Sequence, residues 1–418
     1  MDDKTKGSWL IHHHNKLRSV LDLTDYDNIL VSGKAGVLLS AISADNENQI
    51  DNDRLAALAK ASGINPRLEL PNLISTLKQH SLVDTSGNGI AVLGLTSSSV
   101  LGHTATIFDS MNPTADENAS LYISERASEE PILDSIVKEE VSDTFKLSSS
   151  QSESLLANSE EIGFIDADKL GTSRLYFNGN LFRRENATKT KRVLDSLNEA
   201  ERRALSDLNV LLSSHACVEL TMAKKVLGES LFSKVCAVGL YDINAVCNST
   251  EEVGFITLPA AFSKYSNAQV DDAFDLAKAF VSSITYGMTK SQRERGQIRI
   301  VEALLNAMIR GEAVGPVPAI EQDYKVLELK GVVKVGIGKK KGRTGPMMKL
   351  LKKEVGILAL QVIQNGDASE HSLSSLPTAA VSRYKGPELN RAIVRKKQVS
   401  ENALATTGIL SSLRKGGF

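Results

Sequence analysis

The stretch from Leu55 to Leu95 constrains this chain more than any other, because its pattern admits one order of elements: helix, turn, second helix, two-stranded flap. Asp53-Arg54-Leu55-Ala56-Ala57-Leu58-Ala59-Lys60-Ala61 has an acidic start, good helix formers and apolar positions at Leu55, Leu58 and Ala59. It predicts a first helix, ended by Ser62-Gly63. A second helix begins near Pro71, a residue tolerated in a first helical turn, and carries Leu70, Leu73, Ile74 and Leu77 on one inward side. Leu82-Val83-Asp84 and Ile90-Ala91-Val92-Leu93 then flank Thr85-Ser86-Gly87-Asn88-Gly89, a turn of the composition that closes a β-hairpin.

In pattern and order these residues resemble the winged helix-turn-helix superfamily. The resemblance implies a module that holds nucleic acid or, in some assemblies, another protein. It places Asn72, Ser75, Thr76, Lys78 and Gln79, the polar residues between the apolar positions of the second helix, where they reach base edges or phosphates of a major groove. Asn88 falls at the tip of the wing.

At 418 residues the chain has room for two or three domains, each with its own core. Its apolar and charged shares, 42% and 24%, are those of a soluble globular protein. The 5% aromatic share argues against base-stacking platforms. Cys217, Cys236 and Cys247 form no CxxC pair, so neither a zinc knuckle nor a disulfide framework is expected. Free thiols, no charged-then-apolar leader and no apolar run of membrane-spanning length lead to the expectation of a cytoplasmic protein that avoids membranes.

The net charge of -1 hides an uneven division. Residues 101–170 hold 15 Asp/Glu against 4 Lys/Arg, whereas residues 321–418 hold 18 Lys/Arg against 8 Asp/Glu. Such asymmetry fits nucleic-acid binding, or self-association of oppositely charged surfaces.

Along the chain, Trp9 to Leu23 and Asp25 to Ala44 read as helices, with Gly33-Lys34 as a joint or kink rather than a phosphate loop, because the GxxxxGK[ST] spacing is missing. Helices also fit Ser97 to Phe108 and Ala115 to Val137, the latter interrupted at Pro131. Ser142 to Glu160, rich in Ser, Glu, Asp and Asn, reads as a mobile loop or linker. Two apolar runs around Asn178-Gly179 predict a hairpin. A helix from about Asn198 to Leu212, two short helices at Glu219 to Val226 and Leu231 to Val238, and strands on either side of a break at Asn248 to Glu252 repeat the first order. They give a second winged helix at about 197–262.

Residues 270–311 read as helical, broken near Gly287 and restarting at the capping-box spacing of Ser291 to Glu294. Beyond Gly315-Pro316-Val317-Pro318 come a strand from Tyr324 to Val335, a basic glycine loop from Gly336 to Gly345, a short helix from Pro346 to Lys353 and a strand from Val355 to Ile363. This last part is either a third wing with the basic loop as its tip or a separate small αβ piece.

The expected fold is therefore mainly α with small β-hairpins (α+β), tandem winged-helix units joined by helical segments. The boundaries are an N-terminal winged-helix domain with flanking helices at 1–140, a linker at 141–160 and a second winged-helix-like domain at 161–265. A helical connector at 266–318, a basic αβ or wing-like unit at 319–370 and a basic tail at 371–418 follow.

Lys339, Lys340, Lys341 and Arg343 sit among glycines that free the backbone to follow phosphates, and they supply most of the expected grip. Lys349, Lys224, Lys225, Arg293 and Arg295 are further candidate contacts. His12-His13-His14 lie on a helix, where neighbours point apart, so a structural role is expected rather than a metal site; His215 and Cys217 lie two apart, with Cys236 and Cys247 further on, but Cys217 and Cys236 fit helical packing positions rather than a zinc site. No GxSxG, HExxH or Walker motif is present, and Asp166 with Asp168 lacks the partners of a metal nuclease. The expectation is a non-enzymatic binder of DNA, duplex favoured, without cofactor. Its rival is a winged-helix scaffold for protein partners, and an unrecognised nuclease comes third.

Overall fold

The computed structural model describes residues 1–18, 25–43, 49–86, 89–93, 97–182, 184–247, 252–265, 271–289 and 296–365. They form a mainly helical chain with small antiparallel sheets of two or three strands. One order of elements, helix, strand, two helices, hairpin, recurs four times among them.

After α1 (Asp3–Leu17), the first occurrence comprises α2 (Asp27–Ser43), β1 (Gln49–Asp51), α3 (Asn52–Ala61), α4 (Leu70–Gln79), β2 (Val83–Ser86) and β3 (Gly89–Val92). Its strands lie in the order β1-β3-β2, with Ile90 paired to both Ile50 and Thr85. Asp51 caps α3 by accepting from the Arg54 amide at 2.7 Å, and Leu55, Ala59, Leu73 and Leu77 close over Leu38, Leu39 and Ile42 of α2.

The second occurrence follows α5 (Ser97–Ser110). It consists of α6 (Ala115–Glu129), β4 (Ile132–Leu133), α7 (Asp134–Phe145), α8 (Ser149–Ile162), β5 (Asp166–Leu170) and β6 (Ser173–Phe177), with strand order β4-β6-β5. The stretch expected as a linker at 141–160 is thus the end of α7 and most of α8. Ser148 is not a loop residue but the N-cap of α8, in a capping box with Gln151, and Ser152, Leu155, Leu156 and Ser159 are buried beneath it. The hairpin turns at Gly171, ahead of the expected Asn178-Gly179; Asn178 instead folds the chain locally, its Oδ1 accepting from the Asn180 amide.

Past α9 (Arg184–Asp195) come α10 (Glu199–His215), β7 (Val218–Glu219), α11 (Leu220–Ala237), β8 (Asp242–Cys247) and β9 (Glu252–Thr257), with strand order β7-β9-β8. The two helices expected in this region are both present within α11, which is interrupted at Gly228, where φ 74°, ψ 156° is not helical.

After α12 (Pro259–Ser263) and α13 (Asp271–Thr289), the last occurrence is shorter: α14 (Val301–Ile309), a single bridging residue Val314, α15 (Ala319–Asp323), α16 (Lys325–Leu329), then β10 (Val333–Lys340) and β11 (Arg343–Leu350). Val314 pairs with Met348, so the order is again first strand, third, second. α17 (Lys353–Asn365) ends the described chain.

Several expectations change in this last part. The basic glycine loop at 336–345 is mostly strand, Pro346 onward is strand rather than helix, and Val355 to Ile363 is helix rather than strand, because its apolar residues pack at helical spacing against the core around α13. Residues 325–329, expected in a strand, are helical. The helical stretch ends two residues after Gly287, at Thr289; Gly287 itself is helical, and a Cβ there would come within 2.2 Å of the Tyr324 hydroxyl. The helix restart expected at Ser291 lies outside the described residues.

Two devices fix the repeats to one another. Gly33 is no joint: α2 passes straight through it, and a Cβ there would meet His14 Cβ at 2.4 Å and the Leu10 carbonyl oxygen at 2.7 Å. It lets α1 and α2 touch. The buried Glu117 then couples the first two repeats, accepting from the Asn28 and Ile29 amides at the start of α2 (2.8 and 3.1 Å) while completing the capping box of α6 through the Thr114 amide (2.9 Å). Near the end of the third repeat, Lys264 donates to Glu125 of α6 at 2.7 Å, Trp9 Nε1 donates to the same carboxylate at 2.6 Å, and the Tyr265 ring meets Trp9 edge-on at 4.8 Å. The buried helix α1 therefore touches elements of the first two repeats and the segment that follows the third.

Candidate nucleic-acid interface

The β10–β11 hairpin owes its shape to two local rules. Val333 and Val335 alternate with polar residues, burying one face at the base, and the turn Lys341-Gly342 has φ of 50° and 77°, the pair of positive values that a tight hairpin turn matching strand twist requires. With eight residues per strand it is the longest hairpin among the described residues.

Between Val333 and Leu350 it carries Lys334, Lys339, Lys340, Lys341, Arg343 and Lys349, and no carboxylate. Register places Lys334 opposite Lys349 and Lys340 opposite Arg343. Like charges facing each other across a ladder destabilise it, so these pairs do nothing for the fold. Lys340 Nζ donates to the Ala313 carbonyl at 3.1 Å, and the nearby carboxylate, Glu328, accepts from the Val335 amide. Among the described residues the ion pairs stop, along the chain, at Arg310–Glu312 (2.9 Å), so the six cations of the hairpin face no carboxylate partner.

Alternation sorts these residues onto two faces. One holds Lys334, Gly336, Gly338 and Lys340 beside Lys349, Met347, Gly345 and Arg343; the other holds Val333, Val335, Ile337 and Lys339 beside Leu350, Met348, Pro346 and Thr344. Four of the six cations thus share one face, and Lys334 among them was not singled out in the sequence. Its signal was the strand period, which a loop reading of 336–345 hides.

The chain matches no family model and no curated protein.

The second helix of the first repeat carries a weaker version of the same chemistry. Asn72, Ser75 and Gln79 are exposed on α4. Thr76 gives its hydroxyl hydrogen to the Asn72 carbonyl (3.1 Å), and Lys78 reaches Thr85 Oγ1 (3.0 Å), tying helix to hairpin. The exposed face of α4 is polar and nearly neutral. Lys225 is exposed on α11, whereas Lys224 pairs with Glu229 at 3.1 Å and lies over the Phe232 ring. Asn88, Arg293 and Arg295 lie outside the described residues.

The second repeat is the electrostatic opposite. Arg126 is shared among Glu129, Glu130 and Glu140 at 3.1 to 3.4 Å, Lys138 lies between Asp134 and Glu153, and Arg174 pairs with Glu160, so these three cations are neutralised within the repeat, while Lys146 and Lys169 are exposed. Gln151, Ser154 and Asn158 of α8 line a cleft of about 290 Å³ with Asp25, Tyr26 and Asp116. Burial, reinforced by Asp25, raises the Asp116 carboxyl above its usual range. This acidic surface repels phosphate. Asp166 and Asp168 lie on β5, and among the described residues no group of three or more His, Cys, Asp or Glu side chains is arranged to hold a metal ion.

His12, His13 and His14 are buried in α1. His13 Nε2 meets Ser124 Oγ at 2.8 Å and its ring stacks on Phe164, while neither ring nitrogen of His12 has a hydrogen-bond partner among the described residues. The Cys217 thiol contacts Thr285 Oγ1 at 3.0 Å and is pushed up to about 12 by burial, which makes it a packing group rather than a nucleophile. No helix among the described residues is long and apolar enough to cross a membrane.

Proposed function

We propose that this chain is a DNA-binding protein of tandem winged helices, acting by binding rather than by turnover, whose hold on duplex DNA comes chiefly from the β10–β11 hairpin. The observation that carries the reading is the set of six cations on that hairpin, with like charges facing across the ladder and no carboxylate partner among the described residues. Such an arrangement costs folding stability and is relieved by a polyanion, whose condensed counterions are released on contact. The winged-helix assignment draws support from the recurring order of elements and from the first-third-second strand order of each sheet. In this reading α4 adds polar contacts through Asn72, Ser75 and Gln79, and Lys225 and Lys349 add phosphate contacts.

The decisive test is fluorescence anisotropy of a labelled mixed-sequence duplex at low salt, with the intact chain and with Lys339, Lys340 and Lys341 each changed to Glu. The reading expects tight binding by the parent and a loss of about 100-fold or more in the variant. It fails if the parent does not bind, or if the variant binds equally well.

A second reading is favoured by the acidic second repeat. That surface suits a basic protein partner, including the hairpin of another copy. Sedimentation at low and high salt separates the two: self-association that dissolves with salt, without DNA affinity, selects the scaffold.

A further inference from the structure

The face of the β10–β11 hairpin that carries four cations also carries three of the hairpin's glycines, and the two sets are ordered. From base to tip the cross-strand rows are Lys334 with Lys349, Gly336 with Met347, Gly338 with Gly345, and Lys340 with Arg343. Cation pairs stand at both ends, and between them Met347 lies across Gly338, where a Cβ would come within 2.6 Å of its sulfur, and Pro316 stands 3.4 Å from where a Cβ of Gly345 would be, which leaves Gly336 as the open position. The two cation rows are six positions apart, about 20 Å along a strand.

The fold does not require a bare surface there. A Cβ on Gly336 would meet nothing within 4 Å, so no neighbouring side chain demands glycine at that position. Its φ is not in the left-handed region either. Glycine inside a strand weakens it and commonly marks a place where another molecule comes close to the backbone. The opposite face, near the tip, offers Ile337, 74% exposed, with Lys339, Thr344 and Pro346, and has neither the charge nor the flatness.

We propose that the glycine face of this hairpin lies directly against duplex DNA, spanning a groove, with Lys334 and Lys349 on one phosphate strand, Lys340 and Arg343 on the other, and the backbone at Gly336 turned toward the groove between them. A two-stranded ribbon fits the major groove, about 12 Å wide, and the two cation rows reach the phosphates on its two sides. The occupant is a polyanion with two rails of charge, which a single extended strand or an acidic protein surface does not provide. In the fourth repeat the hairpin thereby takes the part that a recognition helix would take, since α16 has five residues and exposes Leu329 at 78%.

This inference rests on the DNA-binding reading, and its test is built so that the two can fail separately. Gly336→Val adds a strand-favouring side chain to the contact face, and Ile337→Thr alters the opposite face one residue away. Both variants should unfold at or above the parent's temperature. Duplex affinity should fall about tenfold for Gly336→Val and stay within about twofold for Ile337→Thr. If Gly336→Val binds like the parent while Lys340→Gln/Arg343→Gln loses affinity, the hairpin grips by charge alone and the face-on placement is overturned. Equal losses from both faces overturn it as well, and a parent that binds no duplex at low salt overturns the underlying reading.

Discussion

Glu117 carries more of the architecture than its place in a surface-like acidic run suggests. Its carboxylate accepts from the Asn28 and Ile29 amides, the Asn28 side chain and the Thr114 amide, serving the starts of two helices from different repeats. Glu117→Ala should therefore cost about 3 kcal/mol, read as a shift in the urea midpoint, because buried amides lose a charged acceptor. The histidines of α1 set a pH dependence. Burial, with Lys16 beside it, holds His12 well below the usual value of 6.5; burial, then His12 and Lys16, does the same for His13; and burial with Arg18 and Lys34 takes His14 down to about 3. The unfolded chain takes up these protons first, so stability is full above 6.5 and declines as pH falls toward about 3, by about 1.4 kcal/mol per pH unit for each fully buried ring. Urea midpoints measured from about pH 7 to about pH 5 should fall accordingly. His12→Leu, which removes a ring with two partnerless nitrogens, should flatten that fall without lowering stability at neutral pH. An unchanged slope would contradict this account. At this scale the sequence disclosed charge but not pairing: Lys339 to Arg343 stood out as a run, while Lys334 became visible only through register, and Lys224 was already paired with Glu229.

Elements were legible where period and a start signal agreed, as in α3 with its Asp51 cap and α4 with Pro71 in its first turn, and illegible where composition pointed the other way. The Ser-rich segment around Ser148 has the residues of a loop, yet serine is also a favoured helix N-cap, and buried Leu155 and Leu156 decide the matter in favour of α8. Ser148→Ala should lower stability by about 1 kcal/mol and bring proteolysis to the α7–α8 connection, whereas a true linker would show neither effect. Val355 to Ile363 illustrates the opposite error, since a short apolar run fits a buried helix as well as a strand. The β10–β11 hairpin was concealed by its glycines, which mark a loop in a sequence and a bare face in a strand.

Across the whole molecule, one order of elements recurs four times among the described residues, and the packing around α1 and α13 joins the repeats instead of leaving them strung on linkers. Sequence could suggest the first and third repeats from their hairpin breaks; the second was masked by its serines, and the fourth by helices of five residues each and a first strand reduced to Val314. Charge separation was legible from counting, but not its placement: the acidic repeat pairs Arg126, Lys138 and Arg174 with its own carboxylates, while the hairpin leaves six cations without a carboxylate among the described residues. On the proposed reading, this array should bind duplex through few, strongly charged contacts on the β10–β11 hairpin. The salt dependence of duplex affinity tests this most directly. Plotted as log K against log salt, the slope should lie between about -4, for the four cations of the glycine face, and about -5, for all six, and Lys340→Gln/Arg343→Gln should reduce its magnitude by about 2. A slope near zero, or the same slope in parent and variant, would contradict the account.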